Sequence, residues 1–213
     1  MSGYVGAQHE FHDAAFVQNW ADRFVPTAPR LALFDLILEQ IRAPGTHVLE
    51  LGLGPGYMAR HILERNDTVT YEGLDFSEVF FEVAKNTIGP FLPRVTLTKA
   101  DLMDQTWPKT LSRQPAAIIS TWALHDLGGQ QAIADVYARC HDILPKGGIL
   151  LNGDFIKPED TTWSYEPGRF EIDRHLTLLR QAGFANPVSL AAFETNVVNP
   201  TAAQNYACLM AVR

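Results

Sequence analysis

The stretch that decides the fold of this chain is His47-Val48-Leu49-Glu50-Leu51-Gly52-Leu53-Gly54-Pro55-Gly56. A short apolar run ends at an acid and passes into three glycines at alternate positions, after which residues 57–65 follow a helical pattern. Glycine suits such a turn because its backbone enters positive φ freely and lets a ligand come close. A helix that starts there offers free N–H groups to a carboxylate or a phosphate. The stretch therefore predicts a strand, a ligand-binding turn and a helix.

The spacing of the three glycines separates two kinds of ligand. The dinucleotide fingerprint G-x-G-x-x-G needs a glycine at position 57, where this chain has Tyr57. The pattern of Glu50 followed by Gly52, Gly54 and Gly56 instead resembles the first motif of the class I methyltransferases, which bind S-adenosylmethionine. That resemblance implies that the glycines line the methionine and ribose part of the cofactor and that Glu50 positions its amino group. A glycine-rich turn without a ligand is the alternative.

Length and composition predict one globular domain. The 213 residues can form a single sizeable core, and 46% hydrophobic with 19% charged residues is ordinary for such a domain. The net charge of −7 includes no basic run, so we expect no nucleic-acid partner. Cys140 and Cys208 form no framework spacing, and no apolar stretch reaches membrane-spanning length. We therefore expect a cytoplasmic protein with no membrane partner.

Hydrophobic periodicity predicts alternating strands and helices along the rest of the chain. Strands are expected at 67–74, 94–99, 116–121, 149–156, 187–194 and 205–212, and helices at 78–88, 130–144 and 170–182. This order predicts an α/β fold with a doubly wound, seven-stranded, mostly parallel sheet and a terminal antiparallel hairpin, as in class I methyltransferases. Residues 1–43 are expected to form a helical cap segment on a core of residues 44–213, within one stand-alone domain.

Further cofactor contacts are expected where the predicted strands end. Asp75 lies 19 residues beyond Gly56, about where a nucleotide-binding α/β fold places the acid that accepts hydrogen bonds from ribose hydroxyls. The family resemblance places Asp101 at the adenine amino group. The neighbouring positions at these strand ends are candidates for the same ligand, and they are Phe76, Leu102 and Ser120.

A histidine after the fourth predicted strand is the candidate catalytic base. The sequence 123–127 is Ala-Leu-His-Asp-Leu, and it resembles the Leu-His-Asp-Trp pattern of small-molecule O-methyltransferases, with Leu127 in place of tryptophan. The resemblance implies that His125 is a general base and that Asp154 orients it. A histidine with an ordinary pKa near ~6.5 can take the proton of a hydroxyl nucleophile. The alternative is that His125 only packs against or caps the following helix.

Absent motifs narrow the acceptor to a small molecule. No Asp/Asn-Pro-Pro-Tyr or Pro-Cys follows the fourth strand, which disfavours methylation of nucleobases. Ser120 and Thr121 occupy the place where magnesium-dependent catechol enzymes carry an acid, and His9 with His12 does not match a zinc motif. We therefore expect no metal. The acceptor atom, whether oxygen, nitrogen, sulfur or carbon, and the oligomeric state are left open.

Aromatic residues are the candidate walls of an acceptor site. The candidates are Trp20, Trp122, Phe155, Trp163 and Tyr165, with core packing as the alternative for each. Trp20 belongs to a stripe at residues 16, 20 and 24 that predicts an amphipathic helix before the first strand. The segment 157–168 has the length of a lid over the same site.

Transfer of a methyl group from S-adenosylmethionine to a small-molecule oxygen or nitrogen nucleophile is the function that these patterns favour. A nicotinamide-dependent oxidoreductase is disfavoured by the glycine spacing. An aminopropyl transferase would need a more acidic pocket than His125 and the aromatic residues suggest. A non-catalytic subunit that binds S-adenosylmethionine or S-adenosylhomocysteine is the alternative from a different class, because cofactor-binding residues alone do not distinguish it from an enzyme.

Overall fold

A computed structural model describes residues 9–159, 161, 164–195 and 204–213. In this part of the chain, seven strands form one sheet in the order β3-β2-β1-β4-β5-β7-β6. Strands β1 to β5 are parallel, and β7 runs antiparallel between β5 and β6. The predicted fold class, a doubly wound sheet that ends in an antiparallel hairpin, is confirmed.

The strands and helices begin and end close to their expected positions. The strands are β1 His47–Leu51, β2 Thr70–Asp75, β3 Val95–Lys99, β4 Ala117–Thr121, β5 Ile149–Phe155, β6 Ala185–Phe193 and β7 Tyr206–Val212. The helices are α1 Ala14–Arg23, α2 Ala28–Gln40, α3 Tyr57–Arg65, α4 Glu78–Ile88, α5 Gln130–Ile143 and α6 Ile172–Gln181. Strand β2 begins three residues later than expected, because Asn66 accepts hydrogen bonds from the backbone and hydroxyl of Thr68 and holds a turn there.

Helices cover both faces of the sheet and leave the carboxyl ends of the strands accessible. Helices α2, α3 and α4 pack on one face, where Leu33, Ile62 and Ala84 are fully buried. Helices α5 and α6 pack on the other face around Val136 and Leu179. Burial of these apolar surfaces is the main stabilising contribution to the fold. The parallel strands thus present their carboxyl ends as one shared edge.

The connection from β3 to β4 differs from expectation. Proline and polar residues in the interval 103–115 predict an irregular surface loop, but Trp107–Thr110 forms one turn of 3₁₀ helix and the Trp107 side chain is only 1% exposed. An indole buries a large apolar area, so a single tryptophan fixes the loop against the core. None of the described helices is long and apolar enough to cross a membrane. Within the described ranges, no three His, Cys, Asp or Glu side chains form a potential metal site.

Candidate functional site

A cavity of about 460 Å³ lies at the shared edge formed by the carboxyl ends of β1 to β5. Its volume is in the range of small-molecule sites, roughly 300–1,000 Å³. Residues that follow each of these five strands line it, and so do aromatic residues of the segment before β1. The glycine turn, the strand-end acids and His125 are therefore brought together around one space.

The three glycines of the turn all have positive φ, but the residues around them differ. The φ values of Gly52, Gly54 and Gly56 are 75°, 51° and 78°. A Cβ on Gly52 would lie 2.4 Å from Cβ of Ala123, whereas a Cβ on Gly54 would meet nothing within 4 Å. Gly52 and Gly54 line the cavity.

Gly56, whose contact with a cofactor stays a prediction, has different surroundings. It is not one of the residues that line the cavity. A Cβ there would meet Ala84 and Ile88 of α4 at 3.2 Å. The structure therefore assigns Gly56 to the close packing of α4 against the start of α3.

Two buried carboxylic acids face the cavity beside the turn. Glu50 is 1% exposed and accepts a hydrogen bond of 2.7 Å from the Tyr71 hydroxyl. Burial raises the pKa of Glu50 to about 8, although the Tyr71 bond acts in the opposite direction. Asp75 accepts hydrogen bonds from the backbone N–H groups of Gly54 and Ser77, at 2.9 and 3.0 Å. Its pKa is raised to about 6 by burial, against the effect of these bonds.

The remaining candidates for cofactor contact divide between the cavity and the core. Phe76, Asp101 and Leu102 line the cavity, and Asp101 accepts a hydrogen bond of 2.8 Å from the backbone of Met103. Ser120 is fully buried within the sheet, and its hydroxyl donates to the carbonyl of Leu51 at 3.0 Å. The Ser120 hydroxyl is thus bonded to β1, and a contact of Ser120 with the cofactor stays a prediction.

His125 and Asp154 form a buried pair at the wall of the cavity. Oδ1 of Asp154 lies 2.8 Å from Nδ1 of His125, and Oδ2 accepts the His125 backbone N–H at 3.0 Å. Burial alone would lower the pKa of His125, but the Asp154 carboxylate outweighs it and the pKa is raised. Helix α5 begins after Gly129 without a side-chain cap, so His125 does not cap it. The other ring nitrogen, Nε2, lies 3.4 Å from the Asp126 carboxylate, and both residues line the cavity.

The described part of segment 157–168 lies directly on His125. A Cβ on Gly168 would be 1.8 Å from the carbonyl oxygen of His125, so only glycine fits this approach. Glu166 and Arg169 line the cavity and form an ion pair of 2.9 Å. The Arg169 guanidinium lies 4.2 Å from the centroid of the Phe155 ring. The sequence analysis did not identify these residues, since no motif marks them.

Three of the five predicted aromatic walls surround the cavity. Trp20, Trp122 and Phe155 line it, and the Phe155 ring meets His125 edge to face at 4.9 Å. Tyr165 is partly buried and is not among the lining residues. Trp163 lies outside the described residues.

The segment before β1 contributes more of the cavity wall than was expected. Phe11 contacts both Phe76 and Phe80, at centroid distances of 6.4 and 5.1 Å, and its carbonyl accepts a hydrogen bond of 2.5 Å from the Ser77 hydroxyl. Phe16 and Phe24 line the cavity with Trp20, as does Arg30 of α2. The spacing of residues 16, 20 and 24 was the available signal for the aromatic stripe, whereas Arg30 had none.

Comparison with known proteins agrees with this geometry. Residues 48–148 match the family model described as "Methyltransferase domain". An uncharacterized methyltransferase of Anoxybacillus flavithermus is 30% identical over 115 residues, which are 54% of this chain and 49% of that protein. The chain thus spans about half the length of this curated relative.

Solved structures share the fold at low identity. An O-methyltransferase family protein from Burkholderia thailandensis has a TM-score of 0.74 and 17% identity, over 98% of this chain and 63% of that one. The structure described as PigF with SAH has a TM-score of 0.71 and 16% identity, over 94% of this chain and 59% of that one. These structures show the fold of the chain, and residues 48–148 are similar to the methyltransferase-domain family.

Proposed function

We propose that this protein methylates an oxygen or nitrogen nucleophile of a small, flat acceptor, with His125 as the general base. The observation that carries the proposal is the buried His125–Asp154 pair, which lies on the same aromatic-lined cavity as the glycine turn. A nucleotide-binding turn alone would support cofactor binding only. A base held beside an apolar space for the acceptor supports transfer.

The residues around the turn fit S-adenosylmethionine. Gly54 leaves open space over its Cα, so a ligand can reach the backbone there. Glu50 and Asp75 are buried acids with no Lys, Arg or His within 4.0 Å in the described part of the chain. A buried carboxyl without a cation suits a ligand that carries an ammonium group and hydroxyl donors. We infer that Glu50 binds the cofactor's ammonium and Asp75 its ribose, with Phe76, Asp101 and Leu102 around the adenine.

The His125–Asp154 geometry fits proton transfer from the acceptor. When bound, S-adenosylmethionine supplies an already activated methyl group, so positioning and deprotonation of the acceptor remain for the protein. Asp154 holds the proton on Nδ1 of His125 and leaves Nε2 toward the cavity to receive the acceptor's proton. The carboxylate then stabilises the imidazolium that forms. Trp20, Trp122 and Phe155 provide apolar faces for a flat acceptor and exclude water from it.

Cofactor binding is the first test of the proposal. Calorimetric titration with S-adenosylmethionine and S-adenosylhomocysteine should give micromolar dissociation constants, and NADH should give no heat. A Gly54→Ala variant should weaken both ligands, because a methyl group there enters the cavity. Gly45→Ala is the matched control, since Gly45 also has positive φ and open space but does not line the cavity. Failure of the folded protein to bind either sulfur compound would exclude the proposed function.

Methyl transfer is the second test. The protein with labelled S-adenosylmethionine should methylate at least one member of a panel of phenols, heteroaromatic hydroxyl compounds and aromatic amines. Mass spectrometry of the product identifies the acceptor atom. Tight cofactor binding without transfer to any acceptor would instead favour the non-catalytic subunit.

A further inference from the structure

Arg30 brings a positive charge to the cavity wall and forms no ion pair with the described residues. Its guanidinium carbon lies 5.2 Å from the Phe24 ring centroid and 5.0 Å from that of Trp122. Among the described residues, no carboxylate comes within 4.0 Å of it. Burial lowers the pKa of Arg30, while Tyr206 and Glu194, the charged and titratable groups that face it, raise it. The side chain is therefore a partly dehydrated cation that lies over two aromatic rings.

Trp122 adds a second hydrogen-bond donor at the same place. Its Nε1 is buried and has no hydrogen-bond acceptor in the described ranges. A buried N–H group without a partner is uncommon, because it loses its bond to water and gains none in return. The backbone of Trp122 has φ of 50°, a conformation that bulky residues rarely adopt, and its N–H donates to the carbonyl of Gly153 at 2.9 Å. Strain of this kind is concentrated at ligand sites.

We propose that Arg30 and the indole N–H of Trp122 form a carboxylate-binding site in the cavity, separate from the His125–Asp154 pair. The proposal builds on the methyltransferase function proposed above and specifies which charged group its ligands carry. A guanidinium donates N–H groups in its own plane, and these match the two oxygens of a carboxylate. Contacts with the faces of Phe24 and Trp122 do not use those N–H groups.

The position of the two donors suits a single bound carboxylate. The guanidinium carbon lies 5.0 Å from the centroid of the Trp122 ring, so a carboxylate bound at the edge of the guanidinium would lie beside the indole. The other cavity arginine, Arg169, already pairs with Glu166. Two molecules could bring the carboxylate, namely the amino-acid end of the cofactor or an acceptor that is an aromatic acid. Both sources present a carboxylate to Arg30, and pairs of ligands with and without that carboxylate distinguish them.

The test uses pairs of ligands that differ in the carboxylate. S-adenosylhomocysteine carries one and 5′-methylthioadenosine lacks it, while 4-hydroxybenzoate carries one and phenol lacks it. Dissociation constants are measured by calorimetry for the wild type, Arg30→Met and Trp122→Phe. Methionine keeps an unbranched apolar side chain over the rings, and phenylalanine keeps an aromatic ring without the N–H donor. Arg42→Gln is the charge control, since Arg42 is exposed and bonds only the carbonyl of Glu39.

We expect Arg30→Met to weaken one carboxylate-bearing ligand by roughly 10- to 100-fold, the range of a lost charge-assisted hydrogen bond. The dissociation constant of the matched ligand that lacks the carboxylate should change by less than about threefold. Trp122→Phe should weaken the same carboxylate-bearing ligand by a smaller factor. A selective loss of affinity for S-adenosylhomocysteine assigns the site to the cofactor, and a selective loss of affinity for 4-hydroxybenzoate assigns it to the acceptor.

Three results would overturn the carboxylate site. The first is an equal loss of affinity for all four ligands, which a purely structural Arg30 would give. The second is no loss of affinity for any of them, and the third is that the wild type binds neither carboxylate-bearing ligand. A wild type that binds 4-hydroxybenzoate through Arg30 but never binds S-adenosylhomocysteine would refute the methyltransferase proposal and retain the carboxylate site. The two proposals therefore fail in distinguishable ways.

Discussion

Among the described residues, two buried pairs of a histidine and a carboxylate lie at opposite ends of the sheet, and only one of them lines the cavity. At the carboxyl ends of the strands, Asp154 holds Nδ1 of His125, and Nε2 lies 3.4 Å from Asp126, another residue of the cavity wall. In strand β2, Glu72 is fully buried, and Nε2 of His47 lies 3.5 Å from it. His47 opens β1 and contacts Thr70 through Nδ1, so it belongs to the opposite end of the sheet.

The Glu72 carboxylate is bonded to strand β3 and to the loop before β4. Glu72 accepts hydrogen bonds from the Thr98 hydroxyl at 2.6 Å and from the backbone and hydroxyl of Ser112 at 3.0 and 2.5 Å. Burial opposes its ionisation, but the bonds from His47, Ser112 and Thr98 outweigh burial and lower the pKa to about 2. Through Ser112, Glu72 therefore binds the loop before β4 to the sheet. A buried histidine–acid pair indicates catalysis only where one ring nitrogen can reach a ligand.

Replacing the two histidines should give the largest contrast. His125→Ala should lower kcat by roughly 10²- to 10⁴-fold, because the general base is lost. The dissociation constant for S-adenosylhomocysteine should stay within about threefold of wild type, since the ring is expected to act on the acceptor and not the cofactor. His47→Ala is the matched variant, and we expect its kcat to change by less than about threefold. Equal activity of the His125→Ala and wild-type proteins would remove His125 from the mechanism.

Replacing Glu72 should affect stability and not activity. The pKa of Glu72 is about 2 in the folded protein and 4.5 as the ordinary value, so its ionised form stabilises the fold. That stabilisation is present above pH 4.5 and disappears as the pH falls toward 2. Urea unfolding of Glu72→Gln should give a free energy lower by about 1–3 kcal/mol at pH 7, the cost of weakened buried hydrogen bonds, with a flatter dependence on acid pH.

Activity of the Glu72→Gln variant completes this test. At a temperature where the variant is folded, its kcat should match that of the wild type, because Glu72 does not line the cavity. A kcat that falls while the free energy of unfolding stays unchanged would contradict a structural role for Glu72.

Asp154→Asn should change the pH dependence of turnover. In the wild type the Asp154 carboxylate raises the pKa of His125, and the base acts only when unprotonated, so kcat should rise with pH through a midpoint above 6.5. Without the carboxylate, burial dominates and the midpoint should move to lower pH. The plateau kcat should also fall roughly tenfold, since the imidazolium is less stabilised. A pH profile with an unchanged midpoint would show that Asp154 does not act on His125.

Cofactor binding should release protons from Glu50, the smallest of the expected effects. The pKa of Glu50 is about 8 without ligand, so at pH 7 this side chain is mostly protonated. An ammonium group bound beside it favours the carboxylate, and up to about one proton should leave. Titration with S-adenosylhomocysteine in buffers of different ionisation enthalpy counts the protons. Glu50→Gln should remove the dependence on buffer, and its persistence would assign the proton to another group such as Asp75.

The strands, the helices and the meeting of several candidate residues at one cavity were predictable because they depend on local patterns. Alternating apolar segments fix strands and helices, and the ends of parallel strands meet, so Asp75, Asp101 and His125 fell on one cavity. Successive side chains of a strand point to opposite faces, and Thr121 lines the cavity whereas Ser120 does not.

The unpredicted residues depend on contacts between distant parts of the chain. Arg30 comes from a helix before β1 and Arg169 from a loop after β5, and neither belongs to a motif. Gly56 looked like its two neighbours in the turn, but the approach of α4 decides its role. Local patterns cannot specify such packing. The extent of the N-terminal cap and the boundary near residue 44 stay predictions.

The hydrogen bond between Ser77 and Phe11 has a consequence for the kinetics. The N-terminal aromatic residues lie over the end of the cavity that holds Asp75 and Phe76, and this bond fastens them there. A cofactor bound as proposed above would lie beside these residues, and its exit would then require them to move away. The residence time of the demethylated product would then depend on the movement of these aromatic residues and not on the chemistry of transfer. Product release would then limit the rate of turnover, and the hydroxyl of Ser77, outside the reaction centre, would influence that rate.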